Sequence, residues 1–125
     1  MAEQNFRVKH GLEVNGTALA TTLTATVATT SATTLDTFAI ATYRSARYNI
    51  QITQGTDYQV SEVLLIHDGT TASIFDFATL ATGSTIATYS ATISGGNALL
   101  QVIMGSATSS TVKVLAFRTS ILINK

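Results

Sequence analysis

Hydrophobic and polar residues alternate along most of the chain from residue 35 onward, which is the period of a β-strand with one buried face. Turns bearing glycine, serine or threonine separate the alternating segments at the spacing of a sandwich or barrel. No segment combines good helix formers, helical length and a cap, so almost no helix is expected. We therefore predict an all-β, antiparallel β-sandwich, jelly-roll-like, with about seven to eight strands. The predicted strands of this domain are 35–42, 47–53, 58–67, 70–79, 85–94, 97–104 and 111–123.

Residues 5–14 alternate equally clearly, with apolar side chains on one face and the charged residues Arg7, Lys9 and Glu13 on the other. This pattern fits a short edge strand or an extended arm laid against a neighbour, and the three charges favour the arm. The apolar residues of this face are Phe6, Val8, Leu12 and Val14.

Residues 17–34 consist almost entirely of threonine and alanine, and Leu19, Leu23 and Val27 are the larger apolar residues among them. Threonine is a poor helix former, and a segment with so little to bury does not offset its own ordering entropy. We expect a linker or a strap ordered by another subunit. The predicted organisation is an arm and strap at 1–34 followed by a β-sandwich domain at 35–125.

The hairpin of residues 58–79 is the most apolar part of the chain, and Asp68-Gly69 predicts a two-residue turn that pairs Val63 with Ile74. In that register both faces of the hairpin are apolar, whereas a half-exposed sheet should alternate more cleanly. We expect the domain's second sheet to cover one face and a neighbouring subunit to cover the other. One face holds Val60, Leu64, Ile66, Phe75 and Phe77, and the other holds Val63, Leu65, Ala72 and Ile74. The residues predicted to serve assembly are Phe6, Val8, Leu12, Val14, Leu19, Leu23, Val27, Val63, Leu65 and Ile74.

Composition supports assembly and weakens other functions. Charged residues make up 11% of the chain, against roughly 25% in ordinary soluble domains, and the formal net charge is 0. Such a surface is poorly protected from association, although a threonine-covered β-surface would also be neutral and polar. The balance of charge indicates neither nucleic acid nor an anionic membrane as a partner. There is no apolar segment of spanning length and no secretion signal, so we expect a soluble protein made in the cytoplasm.

No set of residues predicts a catalytic, cofactor or metal site. The chain has no cysteine and only two histidines, and its carboxylates are scattered. His67-Asp68 fits a strand end and a turn better than a catalytic pair. Glu62 lies on an apolar face, so we expect it to pair with Arg44, Arg47 or a neighbouring subunit. The tyrosines would either line a sugar-binding surface or serve as ordinary strand residues; they are Tyr43, Tyr48, Tyr58 and Tyr89.

Several stretches resemble virion structural proteins of tailed phages that infect marine cyanobacteria. They are FRVKHGLEVNG at 6–16, YRSARYNIQITQG at 43–55, YQVSEVLLIHDGTTASI at 58–74, ATISGGNALLQV at 91–102 and KVLAFRTSIL at 113–122. The resemblance implies a β-domain of the virion and assigns no catalytic or ligand residue, because its landmarks are turns and strand cores.

From the resemblance and the low charge we expect a capsid decoration or cement protein, located in the virion after synthesis in the host cytoplasm. It would form a homo-oligomer, with a trimer favoured, and bind the major capsid protein or another virion protein. In this hypothesis the segment 1–34 reaches across to a neighbouring capsomer. The alternative is a tail, neck or fibre component that recognises a host-surface glycan.

Overall fold

The structure is a computed structural model that describes residues 12–14 and 18–121. Within these residues it contains nine β-strands and no helix. The strands are β1 (Leu12–Val14), β2 (Ala18–Val27), β3 (Thr33–Ala39), β4 (Tyr43–Gln54), β5 (Asp57–His67), β6 (Ala72–Ala81), β7 (Ala87–Ser94), β8 (Asn97–Met104) and β9 (Ser110–Ser120).

The strands form two antiparallel sheets. The large sheet has the order β1-β2-β9-β4-β5-β6, and the small sheet has the order β3-β8-β7. The buried apolar side chains lie between the two sheets, and Ile50, Leu100 and Val112 are fully buried there. The prediction of an all-β antiparallel fold is confirmed, and the seven strands expected from residue 35 onward all exist.

The threonine-rich segment is a strand of the domain itself. β2 pairs with β9 along its whole length, from Ala18 opposite Thr119 to Val27 opposite Ser110, and β1 pairs with its other edge. Threonine suits a half-buried pleated surface, and Val27 and Leu23 pack against the core. The expected linker or strap at 17–34 is therefore corrected over residues 18–27, because the chain's own β9 orders them. Strands β2 and β3 both begin before residue 35, where the domain was expected to start.

The β5–β6 hairpin has a longer turn than its sequence suggested. His67 pairs with Ala72 and Leu65 pairs with Ile74, so residues 68–71 form a four-residue loop. The side chain of Asp68 closes this loop: its Oδ1 accepts hydrogen bonds from the backbone N–H groups of Thr70 at 3.0 Å and Thr71 at 2.8 Å. The predicted pairing of Val63 with Ile74 is thus wrong by two residues. A shift of two preserves which residues share a face.

These hydrogen bonds make the turn sensitive to acid. They lower the pKa of the Asp68 carboxyl from 3.8 to about 2, and the backbone N–H of Thr70 is the largest cause. Because the folded-state pKa is the lower one, the carboxylate stabilises the native turn above pH 3.8, and this contribution disappears as the pH falls through about 2. We expect Asp68→Asn to lower the thermal unfolding midpoint at neutral pH and to match the wild type near pH 2. A difference that does not change with pH would contradict this assignment.

A buried ion pair joins the two sheets. A β-bulge between Thr34 and Asp36 turns the Asp36 side chain inward, where its carboxylate binds the guanidinium of Arg118 on β9. The hydroxyl of Tyr48 donates to Asp36 Oδ2 at 2.8 Å. Burial, followed by the charge of Asp36, raises the pKa of Tyr48 well above its ordinary value, so this phenol remains a donor. The Arg118 guanidinium also lies over the rings of Phe38 and Tyr43.

A buried amide makes the second link between the sheets. Gln59 Oε1 accepts hydrogen bonds from the backbone N–H groups of Ile86 at 2.6 Å and Ala87 at 3.3 Å, and its Nε2 donates to the carbonyl of Ala87 at 3.1 Å. One side chain of β5 thus pairs with the backbone at the start of β7 as a neighbouring strand would. Tyr89 OH donates to Ser61 Oγ at 3.1 Å and continues the polar contact.

Candidate functional site

The outer face of the large sheet, which points away from the small sheet, is apolar over β5 and β6. Adjacent strands place Phe117, Arg47, Leu64 and Phe75 side by side in one row across the sheet. Phe75 is 63% exposed and Leu80 is 73% exposed, values unusual for such large apolar side chains. We call the exposed apolar side chains of this face the outer patch; they are Tyr58, Val60, Leu64, Ile66, Phe75, Phe77, Leu80 and Phe117.

The apolar character is confined to one half of the face. On β2 the corresponding outward positions are Thr22, Thr24 and Thr26. With side chains of about 150–250 Å² that are roughly half exposed, the eight residues of the outer patch present on the order of 700 Å². The largest apolar patch of a typical monomer is about 300–600 Å². The outer patch is therefore at or above the upper limit for a surface that no partner covers.

A groove runs along one end of the outer patch. It has a volume of about 580 Å³. Residues of β4, β5, β6 and β9 line it. The residues that line it are Ser45, Ala46, Arg47, Leu64, Leu65, Ile66, Ser73, Ile74, Phe75, Phe117 and Thr119.

Arg47 and Glu62 are the charged pair of this face. Arg47 Nη2 donates to Glu62 Oε1 at 3.0 Å, and the Arg47 guanidinium lies 5.4 Å from the ring centre of Phe77. The expectation that Glu62 pairs with an arginine is met by Arg47. Both side chains are about half exposed, where such a pair contributes about 0–1 kcal/mol. The pair thus neutralises the charge of the face while adding little to the stability of the fold.

The structure places the predicted assembly residues differently. Val63 and Leu65 face the small sheet and are buried in the core, so they are unavailable for a subunit contact, and this part of the prediction is corrected. Val27 is also buried, while Leu23 and Ile74 are half-buried against the core. Leu12 and Val14 lie in β1 and Leu19 lies in β2. Phe6 and Val8 lie outside the described residues.

The apolar face left uncovered is therefore the one that contains Val60, Leu64 and Ile66. The hairpin pattern shows two apolar faces and does not say which one the second sheet covers. Glu62 was the available signal, because it shares a face with these residues and a carboxylate with an exposed arginine partner favours the solvent side. On the other face, the polar residues Gln59 and Ser61 are fully buried. Polar residues therefore occur on both faces, and their positions alone do not identify the exposed one.

The His67 ring is held by backbone groups on two sides and connects two parts of the large sheet. Its Nε2 lies 2.6 Å from the Tyr43 carbonyl oxygen and its Nδ1 accepts a hydrogen bond from the Gly69 N–H at 3.1 Å, so the ring joins β4 to the hairpin turn.

Across the described residues, histidine and carboxylate side chains form no group of three that would hold a metal ion. Those residues also include no helix of the length and apolarity needed to cross a membrane.

The tyrosines do not share a surface. Tyr48 is fully buried, Tyr43 and Tyr89 are half-buried, and Tyr58 is exposed on the outer patch. A sugar-stacking platform made by the four side chains together is therefore absent from the described residues.

No protein-family model and no curated protein matches the sequence. Two solved structures have a similar overall arrangement. The tailspike protein of Acinetobacter baumannii phage AM24 is 12% identical with a TM-score of 0.44, over 85% of this chain and 27% of that chain. The tailspike protein of Acinetobacter phage vB_ApiP_P1 is 14% identical with a TM-score of 0.45, over 95% of this chain and 25% of that chain. The chain thus spans about a quarter of either tailspike.

Proposed function

We propose that this chain is a non-enzymatic structural component of a tailed-phage particle, in its tail or fibres, and that its role is assembly. The observation that supports an assembly role is the outer patch, a large apolar area on a domain whose core is already complete.

The assignment to a phage particle comes from the sequence resemblance, and its landmarks have structural roles here. YRSARY opens β4 and lines the large sheet, HDGTT forms the turn closed by Asp68, and ISGG forms the β7–β8 turn. At Gly95 and Gly96 the backbone φ angles are 58° and 81°, a region that favours glycine. These motifs specify the fold of the domain.

The structure removes a support of the capsid-decoration hypothesis. That hypothesis expected residues 1–34 to reach a neighbouring capsomer, but residues 18–27 of this segment form β2 and pair along their whole length with β9 of the same chain. With this segment used inside the domain, the tail or fibre alternative is the one we propose. A homo-oligomer, with a trimer favoured as expected from the sequence, is part of this proposal. Glycan recognition through the four tyrosines is not, because their side chains are dispersed.

Location in the particle tests this proposal. Antibodies raised against the purified chain, carried on gold and imaged by electron microscopy on purified particles of the encoding phage, are expected to label the tail or its fibres. The same antibodies absorbed with the purified chain are the control. Label over the head shell would restore the decoration hypothesis, and particles that lack the chain by mass spectrometry would overturn a virion role.

A further inference from the structure

We propose that a second copy of this chain covers the outer patch. A standard protein–protein interface buries about 800 Å² per partner, and the outer patch alone presents on the order of 700 Å² of apolar side chain. A second copy would therefore bury enough surface at this one site for a stable complex.

The electrostatics of the patch favour a neutral, apolar partner. Its central charged residues, Arg47 and Glu62, are paired with each other at 3.0 Å, while Lys113 lies at the margin of the patch, in a recess that Val60 also lines. The centre of the patch therefore meets a second copy without unpaired like charges. A nucleic acid or other polyanion would find no cluster of basic side chains here. The chain has seven basic and seven acidic residues, and this balance also lets two copies approach without net repulsion.

The edge strand β6, which carries part of the outer patch, has an unpaired backbone edge among the described residues. β6 is the last strand of the large sheet, and among the described residues no strand pairs with its outward edge. Natural edge strands are protected by lysine, proline, β-bulges or inward charges. β6, with the sequence ASIFDFATLA, has no lysine or proline, but it has a register shift opposite Glu62 and Val63. Its one charged residue, Asp76, accepts hydrogen bonds from Thr79 Oγ1 at 2.7 and 2.8 Å.

The patch also contains an apolar projection, Leu80, and a groove lined partly by apolar side chains. Leu80 is its most exposed member at 73% and pairs with Val60. The groove lies at the other end of the hairpin, beside Ile66 and Ser73. Val60 and Ile66 are six residues apart, which is about 20 Å along a strand. A second copy packed face to face with its strands in the opposite direction would bring its Leu80 to this end of the hairpin, where the groove can receive it.

The test compares Phe75→Glu with Ile103→Glu by analytical ultracentrifugation. Ile103 is a matched control because it is also exposed, at 36%, but lies on the outer face of the small sheet. The wild type and Ile103→Glu are expected to sediment as oligomers. Phe75→Glu is expected to raise the dissociation constant at least about 30-fold, since a central interface residue contributes about 2 kcal/mol or more. Circular dichroism of each variant verifies the fold, and Phe75→Ser is the milder variant if Phe75→Glu does not fold.

Disulfide trapping tests the projection and groove directly, because the chain contains no cysteine. An oxidised mixture of Leu80→Cys and Ser73→Cys proteins is expected to give a disulfide-linked heterodimer, and a mixture of Ile103→Cys with Ser73→Cys is not. A wild type that stays monomeric at all accessible concentrations, or a Phe75→Glu protein that associates as the wild type does, would overturn the proposal. This inference rests on the proposed assembly role, but its outcomes do not depend on where the chain lies in the particle, so they are distinguishable from failure of the assignment to the tail or fibres.

Discussion

Replacing Asp36 with alanine is expected to lower the free energy of unfolding by about 3–5 kcal/mol, one of the two largest effects that the structure predicts for a single substitution. Asp36 is 4% exposed and binds both the Arg118 guanidinium and the Tyr48 hydroxyl. The alanine variant leaves the arginine charge without its carboxylate in a site where the guanidinium is largely shielded from water. Urea denaturation with linear extrapolation measures the change.

Two further proteins make this prediction specific. Asp57→Ala removes an exposed carboxylate and is expected to change the unfolding free energy by no more than about 0.5 kcal/mol. The triple replacement Asp36→Val, Tyr48→Phe and Arg118→Met removes all three polar groups with a smaller change of volume than leucine at residue 36 would cause, and it is expected to recover most of the loss. If the triple variant is as unstable as Asp36→Ala, the loss comes from packing at the bulge and not from the unpaired charge.

The strands from residue 35 onward could be predicted because their information is local. Strands β4, β5, β8 and β9 bury alternate side chains, and residues such as Ile50 and Ile52 on β4 show that period directly in the sequence. Glycine pairs also mark a turn without reference to the rest of the fold, as Gly95-Gly96 does. The class of fold follows from these local patterns.

The features that could not be predicted depend on distant parts of the chain. β2 is stable because it lies beside β9, and nothing within 17–34 records that partner. Asp36 and Arg118 are 82 positions apart in sequence, and a bulge is needed to turn the aspartate inward. The length of the β5–β6 turn was missed for a different reason. Asp68-Gly69 fits a two-residue turn, but the Asp68 side chain closes a four-residue loop by accepting from Thr71.

The outer patch could be predicted in part, because it depends both on local sequence and on a distant part of the chain. The sequence predicts that both faces of the β5–β6 hairpin are apolar and that a neighbour covers one of them. Which face remains open depends on where the small sheet docks, and that sheet contacts Val63 and Leu65 rather than Leu64 and Ile66. The proposed interface therefore lies on the hairpin that the sequence predicted for assembly. It uses the face of Leu64 and Ile66, however, and not the predicted face of Val63 and Leu65.

Gln59→Leu is the second substitution expected to have a large effect. Gln59 is 2% exposed, and its amide satisfies the backbone N–H groups of Ile86 and Ala87 and the carbonyl of Ala87. Leucine has a similar volume but leaves these three groups unpaired next to the core, at a cost of about 1–3 kcal/mol for each buried group. We expect the free energy of unfolding to fall by about 3 kcal/mol or more, with faster hydrogen exchange at Ile86 and Ala87.

Gln51→Leu is the matched control, because Gln51 lies on the adjacent strand with an exposed side chain. Equal losses in the two leucine variants would show that the contact between β5 and the start of β7 does not depend on this amide.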